Sequence, residues 1–229
     1  MTNCDTCSVR NRAICSALDS DEIAALSMIG RRRTLTAGEA LIWEGEDATL
    51  VANVIEGVLK LSTTMEDGRE QIVGVAYPAD FIGRPFGGTA SHSVTALTDA
   101  RVCLFPRGDF DGFARKHPEL EHKLLRQTLA ELDRTRNWMV LLGRKSADER
   151  LATFLLDMSA RLGAGCETPA PLDEFELPFS RSQIADILGL TIETVSRQLT
   201  RLKREGVIDL PARRAVRILD RAELEYRAG

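Results

Sequence analysis

The chain reads as an α+β protein with an N-terminal β-roll, a long helix and a C-terminal winged helix-turn-helix. Three observations predict this order. From Arg33 to Phe113 short β-type runs are broken by glycines, and from Pro118 to Leu142 the apolar period becomes helical, with no glycine and no proline after the first residue. The third observation is LPFSRSQIADILGLTIETVSRQLTRLKREGVI, in which two capped helical patterns flank a glycine. The predicted segments are 1–20, cysteine-rich; 21–116, the roll; 117–145, the long helix; and 146–229, the winged helix-turn-helix unit.

Within the roll, Asp67-Gly68 between alternating runs marks a hairpin, because glycine supplies the positive φ of a tight turn. In the long helix Leu125, Thr128, Leu132, Thr135, Met139 and Leu142 recur at alternating spacings of three and four. That is the seam of a two-stranded coiled coil and predicts a homodimer; the competing reading packs the same face on its own domain. A second helix, Ala147 to Leu162, ends at Gly163-Ala164-Gly165, and the Gly- and Pro-rich stretch to Pro171 is a loop.

Ser180 and Gln183 form a capping box at the next helix start. Ile184, Ala185, Ile187 and Leu188 give its apolar face, Gly189 makes the turn, and Thr191 caps the second helix. There Val195, Leu199 and Leu202 face inward, so Glu193, Ser196, Arg197, Thr200 and Arg201 face outward. Gly206 closes the helix, and VIDLPARRAVRIL reads as a hairpin with arginines at its tip. At the start of a helix in the major groove Arg197 can bond bidentately to guanine, and Glu193 can accept from cytosine N4. Arg201, Lys203, Arg204, Arg213 and Arg214 suit phosphates, with Ser180, Thr191 and Thr194 completing that set at the helix starts.

Charge agrees only locally. The chain carries a net charge of -4, whereas the stretch from Thr194 to Arg217 has seven basic residues against Glu205 and Asp209. The longest apolar runs, such as Trp138 to Leu142, fall far short of the roughly 20 residues of a membrane span, and a polar N-terminus argues against a signal peptide. A cytoplasmic location and no membrane partner are expected.

The segment GLTIETVSRQLTRLKREGVI resembles the recognition helix of the CRP/FNR family, with Glu193, Ser196 and Arg197 matching the E-x-x-S-R pattern of its FNR branch. The resemblance continues through AGEALIWEGE, DGREQIVGVAYPADFIG and DERLATFLLDM. It implies a cyclic-nucleotide-binding-like jelly roll and a homodimer reading double-stranded DNA palindromes of the TTGAT-N4-ATCAA type. Glu193 and Arg197 would read the C·G pair, and Ser196 a neighbouring thymine. It also implies RNA polymerase as a partner, through the loop around Arg84 to Gly88. Family members that bind cyclic nucleotides hold the phosphate with a Gly-Glu pair and an arginine, where this chain has Gly83-Arg84 and Ser91-His92-Ser93-Val94. Cyclic-nucleotide binding is therefore not expected.

Five cysteines are present, and Cys4, Cys7 and Cys15 follow C-x2-C-x7-C. In a reducing compartment such a group reads as a metal or redox site. With Cys103, from a distant strand, four thiolates can hold one iron-sulfur cluster per subunit. The arrangement is similar to that of the FNR oxygen sensors, whose commonest spacing is two residues shorter, and it implies a 4Fe-4S cluster that is intact when oxygen is scarce and then favours DNA binding. The alternative is a cluster-free regulator of the same family with redox thiols or a zinc site on the same cysteines. A thiol oxidoreductase is not expected, because no βαβ unit surrounds Cys4 and Cys7. Cys166 reads as an unpartnered thiol, and His92, His117 and His122 as isolated surface residues without a role.

Overall fold

The computed structural model describes residues 4, 6–163 and 170–229, so Cys166 and most of the loop predicted around it lie outside the described residues. The chain forms two compact units, Met1–Asp133 and Arg134–Gly229.

The first unit runs α1 (Ser20–Ile29), β1 (Arg31–Leu35), β2 (Ala40–Ile42), β3 (Leu50–Glu56), β4 (Leu59–Thr64), β5 (Glu70–Ala76), β6 (Phe81–Gly83), β7 (Ser93–Ala96), β8 (Ala100–Pro106) and α2 (Arg107–Ala114). Among the described residues the strands form two four-stranded antiparallel sheets, β1-β8-β3-β6 and β2-β7-β4-β5. Leu35, Val54, Leu59, Val94, Val102 and Leu104 close the core between them. This is the expected roll. The Asp67-Gly68 turn lies between β4 and β5, with Gly68 at φ 83 and Met65 N donating to Arg69 O at 2.9 Å.

Period-two alternation along β8 separates two faces of the sheet. Val102 and Leu104 point into the roll, so Cys103 and Phe105 point to the opposite face. There β3 adds Val51 and Ile55, and the face is covered by Val9, Ala13 and Ile14 of the N-terminal segment and by Leu26 of α1. Neither α1 nor α2 is expected from the sequence. α1 starts from a full capping box, Asp19 with Glu22, yet buries only Ile23 and Leu26 and so has a weak stripe. α2, RGDFDGFA, holds two glycines, poor helix formers. His117 is also not the isolated surface residue expected. Its ring stacks on Phe113 at 3.9 Å, and Nδ1 lies 2.7 Å from Phe113 O.

Helix α3 spans Pro118–Arg144, and the boundary between the units falls within it. Along its length Leu125, Leu132 and Met139 of the expected seam are exposed in the single chain, together with Leu129 and Val140, which the strict seam spacing omits. Thr128 and Thr135 are also exposed and Leu142 is partly buried.

The second unit continues with α4 (Ala147–Gly163), β9 (Glu174–Glu176), α5 (Arg181–Leu188), α6 (Ile192–Arg204), β10 (Ile208–Asp209), β11 (Ala215–Ile218) and α7 (Arg221–Ala228). The predicted wing hairpin, β10 with β11, is extended by β9 into a sheet of order β10-β11-β9. No helix among the described residues is long and apolar enough to cross a membrane.

Candidate nucleic-acid interface and thiol cavity

The helix-turn-helix forms as its local signals require. Ser180 Oγ accepts from Gln183 N at 3.2 Å, while Gln183 Oε1 accepts from Ser180 N at 2.8 Å, satisfying two otherwise orphan donors. Gly189 takes the left-handed φ of 60 and ends α5. Thr191 Oγ1 accepts from Thr194 N at 3.2 Å and starts α6. Val195, Leu199 and Leu202 are buried, and Gly206, at φ 74, succeeds the last turn.

The remaining face of α6 carries the chemistry. Glu193 and Arg197 are exposed, with Ser196 and Thr194 partly so. The Glu193 carboxyl is held below its ordinary pKa, first by the backbone N–H of its own residue and then by the Thr191 hydroxyl, so it is an acceptor-only carboxylate at neutral pH. Arg197 Nη2 makes one long contact, 3.4 Å to Thr194 Oγ1, and is otherwise available to a base edge. Arg213 and Arg214 are exposed at the wing tip. The other cations expected on phosphates already have carboxylate partners: Arg201 on Glu205 at 3.1 Å, Lys203 on Asp209 at 3.0 Å and Arg204 on Glu205 at 3.9 Å. Phosphate binding by these three exchanges one anion for another, and exposed pairs of this kind contribute little.

Two residues without a sequence signal bear on this unit. Arg150, on α4, donates to Leu142 O at 2.7 Å, Lys145 O at 2.9 Å and Leu188 O at 3.0 Å, satisfying carbonyls at the ends of α3 and α5. Arg181, the first residue of α5, has a buried Nη1 without a hydrogen-bond partner and feels Arg213 nearby. Only the three-dimensional contacts reveal either role.

In the first unit one cavity of about 180 Å³ is lined by all four predicted thiols, Cys4, Cys7, Cys15 and Cys103. Strand pairing fixes one wall: in register, Cys103 lies between Arg32 of β1 and Asn53 of β3. The turns of the N-terminal segment supply the other, where Cys7 N donates to Cys4 O at 3.3 Å and Arg10 N to Cys7 O at 3.2 Å. Burial is the main cause that pushes the Cys15 thiol up to about 11 and Cys103 up to about 12, and the neighbouring cysteines add to it. All would repel as thiolates without a cation between them. Arg10, Arg31 and Arg32 also line the cavity. Gly30 permits the close approach, since a Cβ there would stand 2.6 Å from Phe105 Cε1 and 3.5 Å from Cys103 Sγ.

Four thiols lining one cavity are the kind of donor set that holds an iron-sulfur cluster or a zinc ion. Among the described residues no three His, Cys, Asp or Glu side chains are grouped tightly enough to hold a metal ion. A second cavity in the roll, about 280 Å³, includes Gly83, Arg84, Ser91 and His92 in its wall, with Arg84 Nη1 donating to Ser91 Oγ at 2.9 Å.

A Crp-like helix-turn-helix domain matches residues 149–227, and a cyclic nucleotide-binding domain matches residues 32–117. The chain is 46% identical over 229 residues to the transcriptional activator protein FnrL of Cereibacter sphaeroides, covering 99% of this chain and 92% of that protein. The chain belongs to the CRP/FNR family of transcription regulators. Another CRP/FNR relative, the nitrogen fixation regulation protein FixK of Bradyrhizobium diazoefficiens, is 41% identical, covering 97% of this chain and 92% of that protein. The structure of FixK2 from Bradyrhizobium japonicum superposes with a TM-score of 0.80 at 33% identity, covering 88% of this chain and 98% of that one. As a CRP/FNR protein with a helix-turn-helix domain, the chain is a DNA-binding transcription regulator and not an enzyme.

Proposed function

We propose that the chain is a homodimeric, oxygen-sensing transcription regulator that binds FNR-type palindromes while a 4Fe-4S cluster is held by Cys4, Cys7, Cys15 and Cys103. The observation that carries this reading is the cavity shared by those four side chains, three from a short N-terminal segment and one from the β8 strand of the roll. When bound, the cluster supplies oxygen-labile bonds between segment and strand. The chain's own residues give those bonds a consequence. Ile14, Leu26, Phe105, Phe110, Leu120 and Leu124 form one continuous apolar cluster, which Cys15 and Cys103 border. The packing that seats the N-terminal cysteines thus also seats the start of α3.

Along α3 the exposed Leu125, Leu132 and Met139, widened by Leu129 and Val140, are the surface assigned to the second subunit. A cluster that favours the docked N-terminal segment then shifts the dimer equilibrium by its differential stability in the two states. In the palindrome Glu193 and Arg197 read the C·G pair and Ser196 a thymine, with Arg213 and Arg214 on phosphates. A polymerase contact is assigned to the loop from Arg84 to Gly88, where Phe86 is half-exposed at φ 57. In the roll cavity Arg84 is engaged by Ser91, and Glu46 and Asp47 also line the wall, an acidic lining that disfavours a cyclic phosphate. Activation of transcription is assigned by analogy with the FnrL relative, which is named for it.

The test is iron and acid-labile sulfide analysis of protein purified without oxygen, on the parent and on Cys→Ser variants. Substitution at any of Cys4, Cys7, Cys15 or Cys103 is expected to abolish or severely destabilise the cluster, whereas Cys166→Ser keeps it. Zinc without iron in the parent would establish the cluster-free alternative.

A further inference from the structure

The cavity wall holds a polar residue that a four-cysteine site does not by itself require. Asn53 lies in β3, 2% exposed, in register with Cys103. Its Nδ2 donates to Cys15 Sγ at 3.8 Å, while its Oδ1, buried too, has no hydrogen-bond partner. The neighbours two positions away on the same strand face, Val51 and Ile55, are apolar and buried. An aliphatic side chain at 53 would extend that stripe and remove an unsatisfied acceptor, so folding alone disfavours an amide here. The amide N–H is what an aliphatic residue could not supply. Its acceptor, a thiol sulfur, becomes a far better one when it carries the negative charge of a metal-bound thiolate.

We infer that Asn53 is a positioning residue that aims Cys15 Sγ at the cluster and stabilises the charge on that sulfur through an N–H···S hydrogen bond. This role presupposes the cluster proposed above. Because β3 is an inner strand paired with both β8 and β6, the donor is fixed by sheet register rather than by the N-terminal segment whose cysteine it holds. A hydrogen bond to a ligand sulfur also favours the more negative, more reduced state, so it makes the cluster harder to oxidise.

The test compares the anaerobically reconstituted parent with Asn53→Leu, close in size and unable to donate, and Asn53→Ser, which stays polar but is too short to reach Sγ. Thermal unfolding of the cluster-free proteins reports the fold, and Asn53→Leu is expected to melt no lower than the parent. Spectroelectrochemistry and the decay of visible absorbance in air report the cluster. The expected result in both variants is a midpoint potential more negative than the parent's and loss in air on the order of tenfold faster, the factor that one charge-assisted hydrogen bond carries. Should one variant not fold, the other decides the question alone. A folded variant with the parent's potential and lifetime overturns the role of Asn53 while leaving the cluster in place. A parent that takes up no iron and sulfide overturns both.

Discussion

Replacing Arg150 with methionine tests how the DNA-reading unit is held together. The guanidinium donates to three main-chain carbonyls, Leu142 at 2.7 Å, Lys145 at 2.9 Å and Leu188 at 3.0 Å. Each lies at a helix C-terminus, where carbonyls lack intrahelical partners and the macrodipole favours a cation. A hydrogen bond from a charged group contributes about 1.5–3 kcal/mol when buried. Three such bonds from one partly exposed group do not add, and methionine keeps the apolar stem, so the loss is placed at about 3 kcal/mol. The chain has two tryptophans, and in a Trp43→Phe background Trp138 reports on the second unit alone. Urea unfolding monitored by its fluorescence should then show a midpoint lower by about 1–3 M with an unchanged slope. A difference under about 0.5 kcal/mol would refute the assignment of Arg150 as the clasp between the ends of α3 and α5.

Base readout separates from backbone attraction in a pair of substitutions. Arg197→Ala should cost roughly 1–3 kcal/mol on the cognate palindrome and flatten discrimination at one base pair, whereas Arg213→Ala should weaken all sequences alike and reduce the salt slope, both measured by fluorescence anisotropy. Leu132→Glu places like charges opposite one another along α3, and sedimentation should show monomers; an unchanged dimer mass would mean that this face packs elsewhere. Gly30→Val forces a side chain against Phe105, 2.6 Å from the Cβ position, and should destabilise the covering of the thiol cavity by about 1–3 kcal/mol, seen as poorer iron retention in anaerobic protein.

The features legible in the sequence are local. The Ser180–Gln183 box, the left-handed Gly189 and Gly206, and the Asp67-Gly68 turn each depend on residues a few positions apart, and each appears as expected. The inward face of α6 comes from helical spacing alone. Residues whose roles depend on distant partners were not legible. Arg150 acquires its function from carbonyls as far away as Leu188, Asn53 from Cys15, and Gly30 from a ring on β8. Cys103 has no local signal, since a lone strand cysteine is ordinarily core, and only its pairing with the N-terminal trio points to a ligand role. β9 is three residues long and is defined by pairing to β11 rather than by its own pattern. On α3, Leu129 and Val140 are exposed beside the expected seam, outside its strict three-and-four spacing.

The central claim couples the thiol cavity to DNA binding, and affinity for a TTGAT-N4-ATCAA duplex before and after admission of air tests it most directly. Anisotropy titrations at one fixed salt concentration should show tight binding by the anaerobic parent and a loss of at least about fivefold after air, the lower end of a typical coupling free energy. The Cys103→Ser variant should start at the weakened affinity and show no response to air. Equal affinity of the parent in both conditions, or tight anaerobic binding by Cys103→Ser, would contradict the coupling and leave a CRP/FNR regulator whose cysteines do not govern its hold on DNA.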